Sequence, residues 1–326
     1  MKRTKSRWPN NAVVGYIDAS ALGAVAAITQ QQVQSYDVII FGFTADGHVD
    51  NEVLNAMKKI KPWQTQGTLN LLSLGGAAAQ GLKLDEILVN NLLASLQEFG
   101  LDGIDLDIED PQIPINTLQE FTHNLKEALG GEYLLTTAPI LAGTPDAPTL
   151  NIPNGGPSMA AIYATAVFDA ILVQAYNSGL NFTYRDPKDN TLVNEANPDI
   201  IRAAYNSLQL QGNISSASQI VIGIAANAGG APTASNLWNV DSDSAIAEVT
   251  NSVKQNLEDI TLGNYRINPV QFGGLMTWSL NTDAMPSAYT PSAGYKNAPP
   301  GYFAQNVARW MLNDLSTVQV KAESLA

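Results

Sequence analysis

Three acids on one strand face define the chemistry open to this chain. In the run Leu101-Asp102-Gly103-Ile104-Asp105-Leu106-Asp107-Ile108-Glu109, acidic and apolar residues alternate strictly. Side chains two apart on a strand share a face. Asp105, Asp107 and Glu109 therefore point one way, and Ile104, Leu106 and Ile108 the other. With the apolar face packed on helices, the acidic face points into a sheet or barrel interior. Carboxylates are costly there, because each loses hydration and repels its neighbours. A strand that only had to fold would carry Val or Ile instead. A solvated edge strand is the bland alternative, but the flanking chain reads as a parallel α/β protein with buried strands.

Crowding of this kind raises the pKa of one member and makes the cluster titrate as a unit. A carboxyl kept protonated near neutral pH can serve as a general acid. The rival chemistry is a divalent metal site, Mg²⁺ or Mn²⁺, held by the carboxylates. Metal-dependent barrels more often gather ligands from several strands, and no second acidic strand end is evident. His48 follows the second strand and His123 lies in a helix, so both read as surface residues. No metal and no cofactor are expected.

The elements that must position these acids are legible as alternating short and long apolar patterns. Strands are expected at Ala12–Asp18, Asp37–Thr44, Leu69–Gly75, Gly103–Glu109, Tyr133–Ala138, Ala170–Tyr176, Ile220–Ala226 and Gly273–Ser279. They are short and rich in Val, Ile and Leu, as buried parallel strands are. Helices are expected at Asp50–Ile60, at Asp85–Phe99 (with a stripe of Ile87, Leu88, Leu92, Leu93 and Leu96), at Asp243–Leu257 and at Phe303–Leu315. Asn116 opens a capping-box-like Asn-x-x-Gln, and Asn197-Pro198 pairs a cap with a proline at the first helical position. Eight strands, each followed by helical sequence, predict a single (β/α)8 TIM barrel. A doubly wound sheet is the alternative, but no Gly-rich dinucleotide turn follows the first strand. Long loops at Leu141–Gly156, Gly179–Glu195 and Asn281–Pro300 fall on the C-terminal face of such a barrel, where active sites lie. The barrel is expected over 11–316, between short tails at 1–10 and 317–326.

Composition narrows the partners. The 326 residues are 45% hydrophobic and 14% charged, enough to bury a large core. The formal net charge of −13 argues against nucleic acid and anionic membrane, which need clustered Lys and Arg, and suits a neutral substrate. The absence of cysteine excludes thiolate chemistry and disulfides. No apolar stretch approaches the roughly 20 residues of a membrane span. The basic start Met1 to Arg7 leads into Trp8-Pro9-Asn10-Asn11, not into an apolar segment, so it is not a complete secretory signal. Asn181-Phe182-Thr183 and Asn213-Ile214-Ser215 match glycosylation sequons, a pattern frequent by chance.

The segment Asp102-Gly103-Ile104-Asp105-Leu106-Asp107-Ile108-Glu109 resembles the DGxDxDxE signature of glycoside hydrolase family 18, which includes chitinases, endo-β-N-acetylglucosaminidases and inactive lectins. Three further segments match in order. Ser73-Leu74-Gly75-Gly76 resembles SxGG, Gln174-Ala175-Tyr176-Asn177 resembles the QxYN variant, and Gly274-Leu275-Met276-Thr277-Trp278-Ser279 resembles GxMxWS. The resemblance runs from the first strand to the last helix. It implies a chitinase cleaving β-1,4 bonds of chitin or N-acetylglucosamine oligomers with retention, assisted by the substrate's own acetamido group. Glu109 would protonate the glycosidic oxygen. Asp107 would orient the acetamido N–H, and Asp105 would share a proton with Asp107. Tyr176 would donate to the acetamido oxygen. Trp278 would floor the sugar site, Gln174 and Asn177 would make polar contacts, and Tyr16 and Phe43 would line the pocket. Gly75 and Gly76 would allow close backbone approach, a tight turn being the plainer role. Asp102 reads as a cap at the strand entrance. Trp238 is read as either a distant sugar contact or a residue packing near the surface, and Trp63 and Trp310 as core.

Between Ala226 and Gly273 there is room for a loop and a helix but not for an inserted α+β domain. The cleft should be open, which favours internal cleavage. The resemblance implies an extracellular monomer. A glycan-binding lectin and an endo-β-N-acetylglucosaminidase are the competing functions, and retention of Glu109, Asp107 and Tyr176 speaks against the lectin.

Overall fold

The computed structural model describes residues 7–179, 182–233 and 235–315. Its strands are β1 (Ala12–Asp18), β2 (Val38–Thr44), β3 (Leu69–Gly75), β4 (Gly103–Asp107), β5 (Leu134–Thr137), β6 (Ile140–Thr144), β7 (Ala147–Asn151), β8 (Ala170–Gln174), β9 (Tyr184–Arg185), β10 (Leu192–Val193), β11 (Gln219–Ala225) and β12 (Phe272–Trp278). Eight of these close into a parallel barrel in the order β1-β2-β3-β4-β5-β8-β11-β12, with β12 paired back onto β1. This is the (β/α)8 architecture expected, and each of the eight expected strands is present. Val, Ile and Leu of these strands are almost wholly buried on both faces. Each such side chain contributes roughly 1.5–3 kcal/mol when removed from water.

The helices are α1 (Leu22–Ala27), α2 (Gln30–Val33), α3 (Asn51–Ile60), α4 (Glu86–Phe99), α5 (Ile115–Leu129), α6 (Ala160–Tyr163), α7 (Ile200–Gln211), α8 (Asp243–Thr261) and α9 (Leu280–Ala284). The segments Ala304–Ala308 and Met311–Leu315 are π-helical turns. Asp50 and Asp85 cap α3 and α4 by accepting from the main-chain N–H groups of Val53 and Leu88. No described helix is long and apolar enough to cross a membrane.

Several local expectations change. The segment after β5, expected as loop, forms the antiparallel hairpin β6–β7. Gly143 and Pro148 disguised it, since both read as strand breakers. They face each other here, and on its other side β7 makes a bridge only at Asn151, to Ser158, among the described residues, so the missing Pro148 N–H is not needed. Asn116 does not cap α5. The helix starts after Pro114, and Asn116 lies in its first turn. Asn197 accepts from the Asp199 N–H in a turn that precedes α7, which begins at Ile200. Ile87 is 69% exposed because it lies off the Leu88-Leu92-Leu96 stripe. Trp8, within the expected tail, donates from Nε1 to the carbonyl of Gly273 at 2.9 Å and so docks on the barrel. Asn181 of the first sequon and the 317–326 tail lie outside the described residues.

The connection between β8 and α7 is held by a buried charge network. Arg202 of α7 donates to both carboxylate oxygens of Asp186 and, at 2.7 Å, to Asp259 of α8. All three side chains are at most 2% exposed. Tyr265 stacks near the guanidinium, 5.5 Å away. The fork geometry of arginine suits this two-carboxylate site in a way that lysine's point charge does not. Removing the cation leaves two buried carboxylates uncompensated. Arg202→Ala is therefore expected to cost about 3–5 kcal/mol of stability. Chemical denaturation measures this, and an unchanged midpoint and slope would contradict the network's role.

Candidate active site

Strand register explains why Asp105 can be buried. Ser73 of β3 and Thr136 of β5 are its direct neighbours across the two ladders. Both hydroxyls donate to it, Ser73 Oγ at 2.7 Å and Thr136 Oγ1 at 2.6 Å. The Tyr16 hydroxyl from β1 adds a third bond of 2.7 Å. Burial pushes the Asp105 pKa up, and the three hydroxyls partly offset it.

Asp107 lies one layer nearer the C-terminal face. Gln174 Nε2 donates to its Oδ1 at 3.2 Å while also bonding the Ala138 carbonyl at 2.9 Å. Burial, then the charges of Glu109 and Asp105, push Asp107 well above the ordinary carboxylate range. The hydrogen bonds of Asp105 and Asp107 go to flanking hydroxyls and to Gln174, and the pair interacts through charge.

Glu109 follows the end of β4 and is half-exposed at the cleft. Burial raises its pKa, while the amides of Gln174 and Asn154 lower it. Tyr176 lines the same space and is buried, so its hydroxyl stays protonated as a donor. Three carboxyls this close cannot all ionise readily, so the strand retains a proton above the pH at which an isolated acid would lose it.

An aromatic wall faces the acids. Tyr16, Phe43 and Trp278 have ring centroids 5.9–6.4 Å apart. The Gly42–Phe43 and Trp278–Ser279 peptides are cis. Gly75 and Gly76 have φ of +114° and +79°. A Cβ on Gly75 would sit 2.1 Å from the Asp107 carbonyl oxygen, and one on Gly76 would sit 2.8 Å from the Phe43 ring. Close approach is thus their role, since only glycine fits both the backbone angle and the space. Asp102 accepts from the Asn70 N–H at 2.8 Å and fastens β4 to β3, as its reading as a cap implies.

Together these residues border a cleft of about 530 Å³ on the C-terminal face. All the expected site residues except Asp105 and Gly76 line it directly. Asn177, at φ +62°, accepts from Thr233 Oγ1 at 2.9 Å and joins the loops after β8 and β11. The cleft also contains Asp18, which ends β1 and accepts from the Ser20 hydroxyl and N–H. A second acidic strand end therefore exists, at the close of the first expected strand, although as a lone acid it has no alternating partner there. Among the described residues, no three His, Cys, Asp or Glu side chains converge to hold a metal ion. Trp238 packs inward and does not line the cleft. It is 1% exposed and donates from Nε1 to the Ala225 carbonyl. Trp63 and Trp310 are half-buried, each under a lysine ammonium, Lys59 and Lys254. His48 and His123 are exposed.

The model of Glycosyl hydrolases family 18 matches residues 12–269, from the first barrel strand almost to the last. The chain belongs to this family. No curated protein matches its sequence. Among solved structures, a protein named chitinase A from Streptomyces coelicolor is 17% identical with a TM-score of 0.58, covering 93% of this chain and 98% of that one. The family 18 chitinase ChiB from the chitin utilization locus of Flavobacterium johnsoniae is 16% identical with a TM-score of 0.55, covering 84% and 89%. The xylanase and α-amylase inhibitor protein XAIP-II from Scadoxus multiflorus is 19% identical with a TM-score of 0.53, covering 83% and 93%. At these identities the likeness is one of fold.

Sequence reasoning missed Glu195, a buried acid behind the cleft. Its Oε2 accepts from the Ser178 N–H at 3.0 Å, two residues beyond Tyr176. Burial raises its pKa to about 7, against lowering by the Ser178 and Ser235 hydroxyls. No acidic pattern marks it, because it lies alone in a long connection. A carboxyl with a folded pKa above its unfolded one contributes stability below the unfolded value and loses it as pH rises through the folded value. Glu195→Gln is therefore expected to flatten the decline in stability between about pH 5 and pH 8, by on the order of 2–3 kcal/mol. Comparing the two proteins isolates Glu195 from the other buried acids, and parallel stability curves would contradict this.

Proposed function

We propose that the protein is a chitinase that hydrolyses β-1,4 bonds between N-acetylglucosamine units, acting within the polymer. The observation that carries this reading is a half-exposed Glu109 with a raised pKa, set across a cleft from the half-buried face of Trp278. Sugars present C–H faces that pack on aromatic rings, and the acid is left free to reach a glycosidic oxygen. Glu109 donates its proton to that oxygen as the bond to the anomeric carbon breaks. The acetamido oxygen of the same sugar attacks the anomeric carbon and forms an oxazolinium ion. Asp107 accepts from the acetamido N–H and stabilises the positive charge that develops. Tyr176 donates to the acetamido oxygen and aligns it. Water then opens the ring, and Glu109 takes its proton back as base. Asp105 anchors this array from below.

Support for internal cleavage comes from the cleft rim. Between β11 and β12 the chain forms α8 and short 3₁₀ turns, with no strand among the described residues that would build a wall. Among the described residues, the aromatic surface of the cleft is made by Tyr16, Phe43, Tyr176 and Trp278. Extracellular action and a monomeric state fit a polymeric substrate and complete the proposal.

Glu109→Gln keeps the shape and removes the proton. It is expected to lower hydrolysis of N-acetylglucosamine oligomers by roughly 10²–10⁴-fold while leaving binding intact. Mass spectrometry of products together with calorimetric binding checks this. Binding without cleavage by the parent would favour the lectin. Cleavage of glycoprotein N-glycans in place of the oligomers would favour the endo-β-N-acetylglucosaminidase.

A further inference from the structure

The β6–β7 hairpin rises from the C-terminal end of β5 and pairs with the barrel through Ile140, which is opposite Gln174. Beyond it the chain turns at Pro153 and Asn154, and both residues line the cleft. Asn154 has a φ of +59°, in the left-handed region that asparagine tolerates better than other side-chain-bearing residues. Its Nδ2 donates to the main-chain carbonyl of Glu109 at 3.1 Å, and the same side chain holds the Glu109 pKa down against burial. No other cleft side chain outside the barrel strands touches Glu109 through a hydrogen bond among the described residues. The contact spans 45 residues of sequence and joins a loop to the strand end that carries the acid.

We propose that Asn154 is a positioning residue for Glu109, holding the acid's backbone and carboxyl from the hairpin side of the cleft. The inference rests on Glu109 being the proton donor. Glu109 lies just past β4, where the strand ladder no longer fixes it, so its orientation depends on neighbours such as Gln174 and Asn154. The left-handed backbone makes glycine the clean deletion, because Asn154→Gly removes the amide without straining the turn. Asn154→Asp keeps the side-chain shape and backbone tolerance but replaces the donor with a like charge.

The deciding measurement is a carbon-13 NMR titration of the glutamate carboxyls in the full chain, with Glu109 assigned by its loss in Glu109→Gln. Glu109 is expected to titrate at higher pH in Asn154→Gly than in the parent, and higher again in Asn154→Asp. The alkaline limb of kcat/KM on N-acetylglucosamine oligomers should move with it. In Asn154→Gly, kcat should fall roughly 10- to 100-fold with a smaller change in KM. A merely structural loop would not produce this order of titrations. Identical Glu109 titration in the three proteins would overturn the inference, whatever the activities. An ordered shift in a parent that cleaves nothing would uphold the Asn154 contact and overturn only the hydrolase reading.

Discussion

A carboxylate sealed inside a barrel has to be held by donors, and Asp105 is held by three hydroxyls from three strands. Much of the cleft depends on that arrangement. Ser73 and Thr136 can reach it only because the β3–β4 and β4–β5 ladders place them at its level. Tyr16 reaches it from β1 while its ring packs on Phe43 and Trp278. One buried carboxyl thereby ties the acidic strand to the aromatic wall across the barrel. The hydroxyls also moderate Asp105, which leaves its charge acting on Asp107 one layer above. Loss of these donors would remove both the anchor and the electrostatic gradient along β4.

The gradient runs from a sealed layer to an open one. Asp105 is wholly buried, Asp107 nearly so, and Glu109 half-exposed. Burial raises the pKa of each acid, the charges of Glu109 and Asp105 add to it at Asp107, and Glu109 is the most exposed of the three. Gln174 spans the two upper acids and the Ala138 carbonyl, so its amide is committed to orienting the acids. Gly75 and Gly76 let β3 pass within hydrogen-bond reach, and the Gly76 N–H donates to the Asp107 carbonyl at 2.7 Å. The backbone carrying Asp107 is thus fixed independently of its side chain.

The barrel and the acidic strand were legible because both follow periodicity. Alternation placed Asp105, Asp107 and Glu109 on one face, and short runs of Val, Ile and Leu located all eight barrel strands. What escaped was whatever lacks a period. Asp18 and Glu195 are single acids without an alternating partner, and the burial of Glu195 comes from tertiary contacts. The β6–β7 hairpin is hidden by Gly143 and Pro148, which break a strand pattern without breaking an edge hairpin. Asn154 followed it out of view. Trp238 was misjudged because position in a loop says little about depth, and this loop folds inward so that the indole meets the Ala225 carbonyl. The Asn cap at position 116 failed for a local reason: α5 already starts at Ile115, after Pro114, so Asn116 falls inside its first turn, whereas Asn197 does accept from the Asp199 N–H ahead of α7.

Proton NMR of the first product formed from an N-acetylglucosamine oligomer tests the central claim most directly. If Glu109 protonates the leaving oxygen and the acetamido group attacks, the new reducing end appears first as the β-anomer and then mutarotates. If the α-anomer appears first, a water has attacked from the opposite face. The account given for Asp107, Glu109 and Tyr176 would then be wrong, and Asp18 would become the candidate base.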